Sequence, residues 1–244
     1  MLDKFSLLCS NFDQRSLINY LSMDKTAPSN LQRVEFRPLK ETVYNMLVAS
    51  ITSGELSPGT SVTLAELSGR LGVSLMPVRE ALRKLESENL ITLKKNRRIA
   101  INELSKEDLN ELLLIRLNLE CMISRIAIPK IQQAAIAELQ TLLEQMNKAK
   151  HPDLYFDINK RFHFIIYDAA KMPILKEIID NLWRRVSSYL RIYVATTYRE
   201  PNLRCHREML SAIKSKNAPK LVKWLTLDLT RAAEAMGGFL SSKT

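Results

Sequence analysis

Cysteine, glycine and histidine are scarce in this chain of 244 residues, which contains 3, 6 and 3 of them. The cysteines (Cys9, Cys121 and Cys205) are far apart and form no CxxC pair, which argues against a disulfide framework and for a reducing compartment. Six glycines beside nine prolines are few for an all-β protein, whose many turns draw on glycine.

Long apolar runs are absent as well. No stretch of about 18 uncharged apolar residues occurs, so we expect no transmembrane helix. The first twenty residues carry Asp3 and Asp13 in the region that an export signal keeps apolar. We therefore expect a cytoplasmic protein without a membrane partner.

Basic residues are in excess, with 36 lysines and arginines against 26 acidic residues and a formal net charge of +10. Residues 1–37 contribute +1, residues 38–104 contribute +2 and residues 105–244 contribute +7. Such an excess suits a nucleic acid, an anionic small molecule or simple solubility, so the charge alone does not separate these classes.

Residues 1–37 show weak periodicity and end in a polar stretch that contains proline, which predicts an N-terminal extension and linker. From Leu39 the chain predicts a first helix. The stretch TLAELSGRLG predicts a second, because Thr63 and Glu66 have the spacing of a capping box and Gly72 suits the left-handed turn at its end.

The stretch GVSLMPVREALRKLE predicts a third short helix. Ser74 is placed to cap it and Pro77 lies in its first turn. Its opposite face carries Met76, Arg79 and Arg83, while the buried stripe comprises Val78, Ala81, Leu82 and Leu85.

The stretch LITLKKNRRIAIN alternates and predicts a two-stranded hairpin with a basic tip formed by Lys94, Lys95, Arg97 and Arg98. Three helices and a hairpin within residues 38–104 predict a winged helix-turn-helix, whose third helix enters the DNA major groove. We therefore expect DNA contacts from this tip and from Ser74, Met76, Arg79 and Arg83. The alternative is that the two arginines lie on a solvated face beside Glu80 or Glu86.

Residues 105–238 are helical by pattern, and residues 239–244 form a tail. Six helices with short links predict an antiparallel bundle. The predicted fold is therefore mostly α, a winged helix-turn-helix followed by an all-α bundle. The bundle helices are expected to start at Ser105, Ile131, Pro152, Pro173, Pro201 and Asn217.

The stretch from Ile51 to Ile91, with GVSLMPVREALRKLE at its centre, resembles the DNA-binding domain of GntR-type bacterial regulators. The stretches IRLNLECMISRIA, NKRFHFIIYDAAKMPIL and HREMLSAIKSKNAPKLVKWLTLDL resemble the FadR-type ligand domain, called FCD, and six helices resemble its VanR-like branch. The resemblance implies a homodimer that grips or releases a near-palindromic operator when a small metabolite binds.

This chain departs from the GntR pattern at two places. The family usually has Arg-Thr where this chain has Leu75 and Met76, and the hairpin tip lacks the usual glycine. The basic tip can offset a lost arginine through phosphate contacts, which hold register without reading sequence. We therefore expect a defined operator bound with steep salt dependence.

Many FCD domains hold a divalent metal with one aspartate and three histidines. Carried over by resemblance, these positions are Asn159, His163, His206 and Asp228. Two imidazoles, a carboxylate and an amide oxygen are acceptable to Zn, Ni or Mn. The alternative is a pair of buried histidines held by hydrogen bonds.

Arg116 matches the inward arginine of the family. It either forms a buried ion pair with Glu120 or anchors the carboxylate of an organic-acid effector. Arg184, Arg185 and Arg191 add positive charge that suits an acidic metabolite or a solvated face.

The leading function is therefore a transcriptional regulator, expected to be a repressor, that responds to a metabolite and is not an enzyme. Two alternatives stay open. One is a metal-dependent hydrolase in the bundle, which lacks an HExxH motif and an obvious general base. The other is a protein that coats nucleic acid without sequence preference.

Overall fold

A computed structural model of the chain describes residues 39–95, 98–197 and 203–241. Within these residues the helices are α1 (Leu39–Ser53), α2 (Leu64–Leu71), α3 (Leu75–Ser87), α4 (Lys106–Ala127), α5 (Gln133–Lys148), α6 (Pro152–Ala169), α7 (Pro173–Thr197), α8 (Leu203–Lys214) and α9 (Ala218–Ser241). The strands are β1 (Ser61–Thr63), β2 (Ile91–Leu93) and β3 (Arg98–Ile101), and a 3-10 turn spans Ile128–Lys130.

The mostly α fold is confirmed, with a small sheet near its N-terminal end. No described helix joins the length and the apolarity that crossing a bilayer requires. Four predicted features lie wholly or partly outside the described residues: the extension over residues 1–37, Arg97 at the hairpin tip, the helix start at Pro201 and the tail, of which residues 242–244 are not described.

Local signals set the boundaries of α2 as predicted. The Thr63 hydroxyl accepts a hydrogen bond from the Glu66 N–H, and the Glu66 carboxylate accepts one from the Thr63 N–H. Gly72 ends the helix in the left-handed region with φ of 64°. These contacts satisfy backbone groups that a helix end leaves without partners.

The predicted cap of α3 is wrong. Ser74 has the extended backbone of a cap residue, but its side chain makes no cap hydrogen bond. A cap hydroxyl normally bonds the N–H of the second or third helical residue. The third residue here is Pro77, which has no N–H, so one of the two usual donors is missing.

The predicted two-stranded hairpin is part of a three-stranded antiparallel sheet with strand order β1-β3-β2. Val62 of β1 and Leu93 of β2 both pair with Ile99 of β3. The sequence analysis missed β1 because three residues are too short to display alternation. The sheet and α1–α3 enclose one core, which includes Val43, Leu47, Leu67, Val78, Leu85, Ile91 and Ile101.

Helices α4–α9 form the predicted six-helix bundle around a second core. Ser105 and Asp108 cap α4 reciprocally, and the Asn217 side chain accepts a hydrogen bond from the Lys220 N–H at the start of α9. Helix α9 was expected to end near Met236 and continues to Ser241. The largest fully buried side chains of this core include Trp183, Tyr167, Phe162, Ile123 and Met209.

Helix α7 connects the bundle to the winged helix-turn-helix. The Arg191 Nε donates to the Thr52 carbonyl oxygen of α1 at 3.0 Å. The Leu104 N–H donates to the Tyr189 hydroxyl oxygen at 2.9 Å. The C-terminal half of α7 is therefore anchored to the last residues of α1 and to the link after β3.

Candidate DNA interface and metal cluster

Helix α3 presents one face to solvent. Val78, Ala81, Leu82 and Leu85 are buried beneath it, whereas Arg79 and Arg83 are exposed and Met76 is 65% exposed. Neither arginine forms an ion pair with another described residue. Glu80 lies 4.0 Å from Lys40, and the Glu86 carboxylate accepts a hydrogen bond from the Leu93 N–H. The acidic partners considered for the two arginines are therefore engaged elsewhere.

The exposed arginines of α3 line a groove shared with the sheet. Its volume is about 800 Å³, and Arg79, Arg83, Lys94 and Arg98 lie along it beside the apolar side chains of Leu64, Leu75, Leu93 and Ile99. Lys95 and Ser74 are exposed nearby in the chain but do not line the groove. The groove thus joins α3 to the hairpin, with four cationic side chains and no acidic one along it.

Four predicted metal-site residues come together inside the bundle. Helix α6 carries Asn159 and His163 one turn apart, α8 carries His206 and α9 carries Asp228. One ligand atom from each histidine and from Asp228 lies within 4.8 Å of the others. The Asn159 Oδ1 lies 2.6 Å from the His206 Nε2. His163 and His206 are buried, and the side chain of Asp228 is 13% exposed.

The surroundings of His163 fix the role of each ring nitrogen. Its Nδ1 lies 3.3 Å from the Tyr167 hydroxyl, and that hydroxyl lies 2.5 Å from the Glu120 carboxylate. Burial, followed by the charge of Glu120, raises the pKa of Tyr167 well above its usual value. Tyr167 therefore stays protonated, donates to Glu120 and accepts from His163, which places the imidazole proton on Nδ1.

This tautomer leaves the His163 Nε2 with a lone pair directed toward a carboxylate. The atom is buried and makes no hydrogen bond, although the Asp228 Oδ2 lies 3.3 Å away. Two electron-rich atoms at this distance repel unless a cation or a proton lies between them. Burial acts to raise the pKa of Asp228, but attraction from His206, from His163 when its Nε2 carries a proton, and from Arg116 holds that pKa below its usual range. The cluster therefore has the donor set and the ionised carboxylate that a divalent cation needs.

Arg116 forms the buried ion pair with Glu120, with Nε 2.5 Å from the Glu120 Oε1. Its guanidinium lies 4.6 Å from the centre of the Trp183 ring, and that ring lies 5.5 Å from the ring of His163. The Arg116 Nη2 is buried without a hydrogen-bond partner. The predicted ion pair with Glu120 is therefore present, and a second nitrogen of the same guanidinium is buried without a hydrogen-bond partner.

Sequence reasoning missed the network that supports the cluster. Glu120 accepts hydrogen bonds from Tyr167 and from the Trp183 Nε1 at 3.2 Å, while it pairs with Arg116. The spacing of Tyr167, four residues after His163, was the available signal, because residues one turn apart share a helix face.

Two arginines of α7, Arg184 and Arg191, form ion pairs within the protein, a role that differs from both expected ones, an acidic metabolite and a solvated face. Arg184 lies 3.4 Å from the Glu88 carboxylate at the end of α3 and also pairs with Asp180. Arg191 binds the Thr52 carbonyl oxygen and the carboxylates of Asp153 and Asp157. These two side chains thus hold the bundle to the winged helix-turn-helix.

Comparisons with known proteins agree with both parts of the chain. The model of the bacterial gntR family of regulatory proteins matches residues 39–101, and the FCD domain model matches residues 111–231. The HTH-type transcriptional regulator McbR of Escherichia coli (strain K12) is 34% identical over 182 residues, which cover 72% of this chain and 82% of the relative.

Two further comparisons extend the coverage. The HTH-type transcriptional repressor RspR of the same strain is 27% identical over 206 residues, covering 82% of this chain and 90% of the relative. A solved structure of E. coli McbR/YncC matches with a TM-score of 0.73 at 28% identity, covering 82% of this chain and 98% of that one. These relatives are regulators and not enzymes, which sets the hydrolase alternative aside. The chain belongs to the GntR family of transcriptional regulators and carries an FCD domain.

Proposed function

We propose that the protein reads an operator through α3 and grips its phosphates through the hairpin. The observation that carries this proposal is the groove along which Arg79, Arg83, Lys94 and Arg98 converge, with no acidic residue among those that line it. Arginine on a helix in the major groove is suited to guanine, and lysine to phosphate. Ser74, whose hydroxyl does not cap α3, and Met76 are the other expected contacts at the leading end of the helix.

The test compares Arg79→Ala with Arg161→Ala, a control that removes an exposed arginine from the bundle. A duplex selected from a random library by the wild-type protein serves as the operator, and an unrelated duplex serves as competitor. Loss of a bidentate base contact costs about 1–3 kcal/mol of discrimination. We expect Arg79→Ala to lose about tenfold or more in operator affinity. Wild-type affinity in Arg79→Ala would contradict the proposal, and equal binding of both duplexes would favour the coating alternative.

A divalent metal, Zn, Ni or Mn, is proposed at the cluster. His163, His206 and Asp228 would hold it, with the Asn159 oxygen as a weaker, uncharged fourth ligand. The lone pair of the His163 Nε2 beside the Asp228 carboxylate supports this proposal, because a cation relieves the repulsion between them. When bound, the metal supplies a Lewis acid that can ligate a carboxylate.

The proposed effector is a small organic acid. Its carboxylate would pair with the buried Nη2 of Arg116, which lies beside the cluster and has no protein partner. Arg116 keeps its ion pair with Glu120 through Nε, so an effector need not break that pair. This division of one guanidinium between a fixed and a variable partner suits a ligand anchor.

Helix α7 is the proposed link between effector and DNA. Trp183 contacts the cluster, and the next residue, Arg184, faces Glu88 at the end of α3. A shift of α7 on effector binding would therefore reorient the recognition helix. Coupling of this kind is worth about 1–3 kcal/mol in operator affinity.

The proposal includes a homodimer on a near-palindromic operator and a repressor role, which the printed name of RspR also carries. A regulator that binds the chromosome of a bacterium acts in the cytoplasm. Residues 38–104 are proposed as the DNA-reading domain and residues 105–238 as the effector domain, with the hairpin residues Lys95 and Arg97 as further phosphate contacts.

A further inference from the structure

The N-terminal end of α3 is apolar where it meets solvent. Leu75 and Met76 are the first two residues of the helix, and they are 46% and 65% exposed. Met76 is more exposed than any other large apolar side chain described in residues 39–104. A single exposed apolar residue is common on proteins, whereas several on one surface indicate contact with a partner.

The apolar surface continues from α3 into the groove beside the sheet. Leu75 lines that groove together with Leu64 and Ala65 of α2 and with Leu93 of β2. Ala65 is exposed, and Leu93 is 39% exposed. Apolar side chains from three elements therefore meet solvent at one place. We call these four residues and Met76 the apolar patch of α3.

Cationic side chains surround the apolar patch of α3. Around the helix axis Arg79 falls between Leu75 and Met76, about 40° from the first and about 60° from the second. The groove carries three further cationic side chains and no acidic one. An apolar patch within so much positive charge suits a polyanion that also presents an apolar group.

DNA presents such a group in its major groove. The 5-methyl group of thymine lies there, whereas the edges of guanine, adenine and cytosine present hydrogen-bond donors and acceptors. A leucine or methionine side chain has no N–H or O–H donor and would cover a polar base edge without replacing its lost water, which costs free energy. A methyl group is stabilised by the same burial. The patch is therefore suited to thymine and unfavourable for the other bases.

The helix geometry places this contact beside the one made by Arg79. Leu75 and Met76 precede Arg79 by four and three residues, which is about 6 and 4.5 Å along the axis. Stacked base pairs are about 3.4 Å apart. For a helix that lies along the major groove, a thymine under either side chain is therefore roughly one or two base pairs from the guanine under Arg79.

We propose that Leu75 and Met76 read the 5-methyl group of thymine in each operator half-site, next to the guanine read by Arg79. The inference rests on the proposed reading of an operator by α3 and names the base that the apolar residues select. Both residues stand where this chain departs from the GntR pattern. The departure therefore changes the base that is read and does not merely remove a contact.

The test replaces the thymines of the selected duplex by uracil, one at a time, and measures the dissociation constant by fluorescence anisotropy. Uracil lacks the 5-methyl group and keeps the pairing edge and the O4 acceptor of thymine, so only the apolar contact is removed. We expect wild-type affinity to fall about threefold to fivefold at each contacted thymine, the effect of one buried methyl group, and to stay unchanged at the other thymines. At a contacted position, 5-methylcytosine should bind better than cytosine by a similar factor.

Two variants assign the effect to its side chain. In Leu75→Ala or Met76→Ala, the duplexes with thymine and with uracil at the contacted position should bind equally, so the ratio of their dissociation constants falls to about 1. A merely structural role would weaken both duplexes alike and leave that ratio unchanged. Met46→Ala is the control, because Met46 is 49% exposed on α1 and does not line the groove. It should keep the wild-type ratio.

Each result decides the proposal. A uracil effect beside the Arg79 guanine that disappears in Leu75→Ala or in Met76→Ala supports it. A selected duplex without thymine at those positions, uracil without effect at every thymine, or an effect that persists in both variants would overturn it. Specific binding that depends on guanine but not on the methyl group leaves the proposed function standing, whereas equal binding of the selected and the unrelated duplex refutes that function and this inference with it.

Discussion

One ring nitrogen, the His163 Nε2, determines the electrostatics of the cluster formed by Asn159, His163, His206 and Asp228. The His163 Nδ1 is committed to Tyr167, so its Nε2 directs a lone pair toward the Asp228 carboxylate. Without a proton or a metal cation between them this arrangement is unfavourable, and burial removes the water that would screen it. The cluster is therefore the proposed cation site, and Asn159 is the position expected to weaken it.

Metal affinity should follow the charge of position 159. Asn159→Asp adds a carboxylate to the donor set, and ligand charge tunes metal sites over several decades. We expect the affinity for Zn to rise on the order of tenfold in Asn159→Asp, and stoichiometric metal to be lost in His163→Ala. Titration calorimetry on protein without a histidine tag measures both.

Asp157→Asn is the matched control for that titration, because Asp157 is exposed and pairs with Arg191 on another face of α6. Its metal affinity should equal that of the wild type. Unchanged affinity in both His163→Ala and Asn159→Asp would show that the four residues hold no metal.

At the scale of elements, two neighbouring helix starts differ in what their cap residues do. The Thr63 hydroxyl accepts from the Glu66 N–H, whereas the Ser74 hydroxyl caps nothing. Removing a working cap costs about 1 kcal/mol. Thr63→Ala should therefore lower the free energy of unfolding by about 1 kcal/mol, and Ser74→Ala should change it by less than about 0.5 kcal/mol. Urea titration followed by circular dichroism compares the two, and equal losses would mean that Ser74 caps α3 in solution.

The hairpin is expected to bind phosphates without reading bases. Each phosphate contact removed lowers the slope of log affinity against log salt by about 1. Lys94→Ala combined with Lys95→Ala should therefore lower the slope by about 2, while the ratio of operator to unrelated duplex stays near that of the wild type. Fluorescence anisotropy from 50 to 300 mM salt, about the range in which such binding is measured, provides both quantities. A collapse of that ratio would mean that the hairpin reads sequence.

Elements with local signals were predictable, and those fixed by distant contacts were not. The capping box at Thr63, the left-handed Gly72 and the apolar stripe of α3 each lie within a few residues, so the sequence alone located α2 and α3. Strand β1 exists only because β3 pairs with it from about 37 residues away. Arg184 and Arg191 could not be placed from sequence, because their partners Glu88 and Thr52 lie in another part of the chain.

In the candidate sites, too, the sequence located the residues that follow a local or family pattern and missed those that are defined by distant contacts. Helical spacing placed Arg79 and Arg83 on one exposed face, and the family pattern placed the four cluster residues. Neither source revealed that Tyr167 and Glu120 set the His163 tautomer, since the Tyr167–Glu120 hydrogen bond spans 47 residues.

At the scale of the whole molecule, the contact between Glu88 and α7 should carry the coupling. The Tyr44 hydroxyl donates to Glu88 at 2.8 Å, and burial with this hydrogen bond raises the pKa of Tyr44, so the donor stays protonated. Arg184 faces the same carboxylate. Glu88→Gln keeps the shape of the junction but removes the charge that holds Arg184. We expect the ratio of operator affinities with and without Zn to fall toward 1, with Zn affinity unchanged.

The size of that ratio in the wild type follows from a coupling free energy of about 1–3 kcal/mol, or roughly 5- to 150-fold. Glu55→Gln, which alters an exposed carboxylate bonded to Ser50 in the same part of the chain, is the control. A full wild-type ratio in Glu88→Gln would place the coupling outside this junction.

The central claim is that α3 enters the major groove of DNA, and methylation interference tests it most directly. Methylation of guanine N7 blocks the major groove, and methylation of adenine N3 blocks the minor groove. We predict that methylation of guanine N7 abolishes binding at two clusters of guanines, about 10 base pairs apart or a multiple of that spacing. In Arg79→Ala, methylation of the guanines that Arg79 contacts should no longer affect binding. Interference confined to adenine N3, or none at any base, would contradict it.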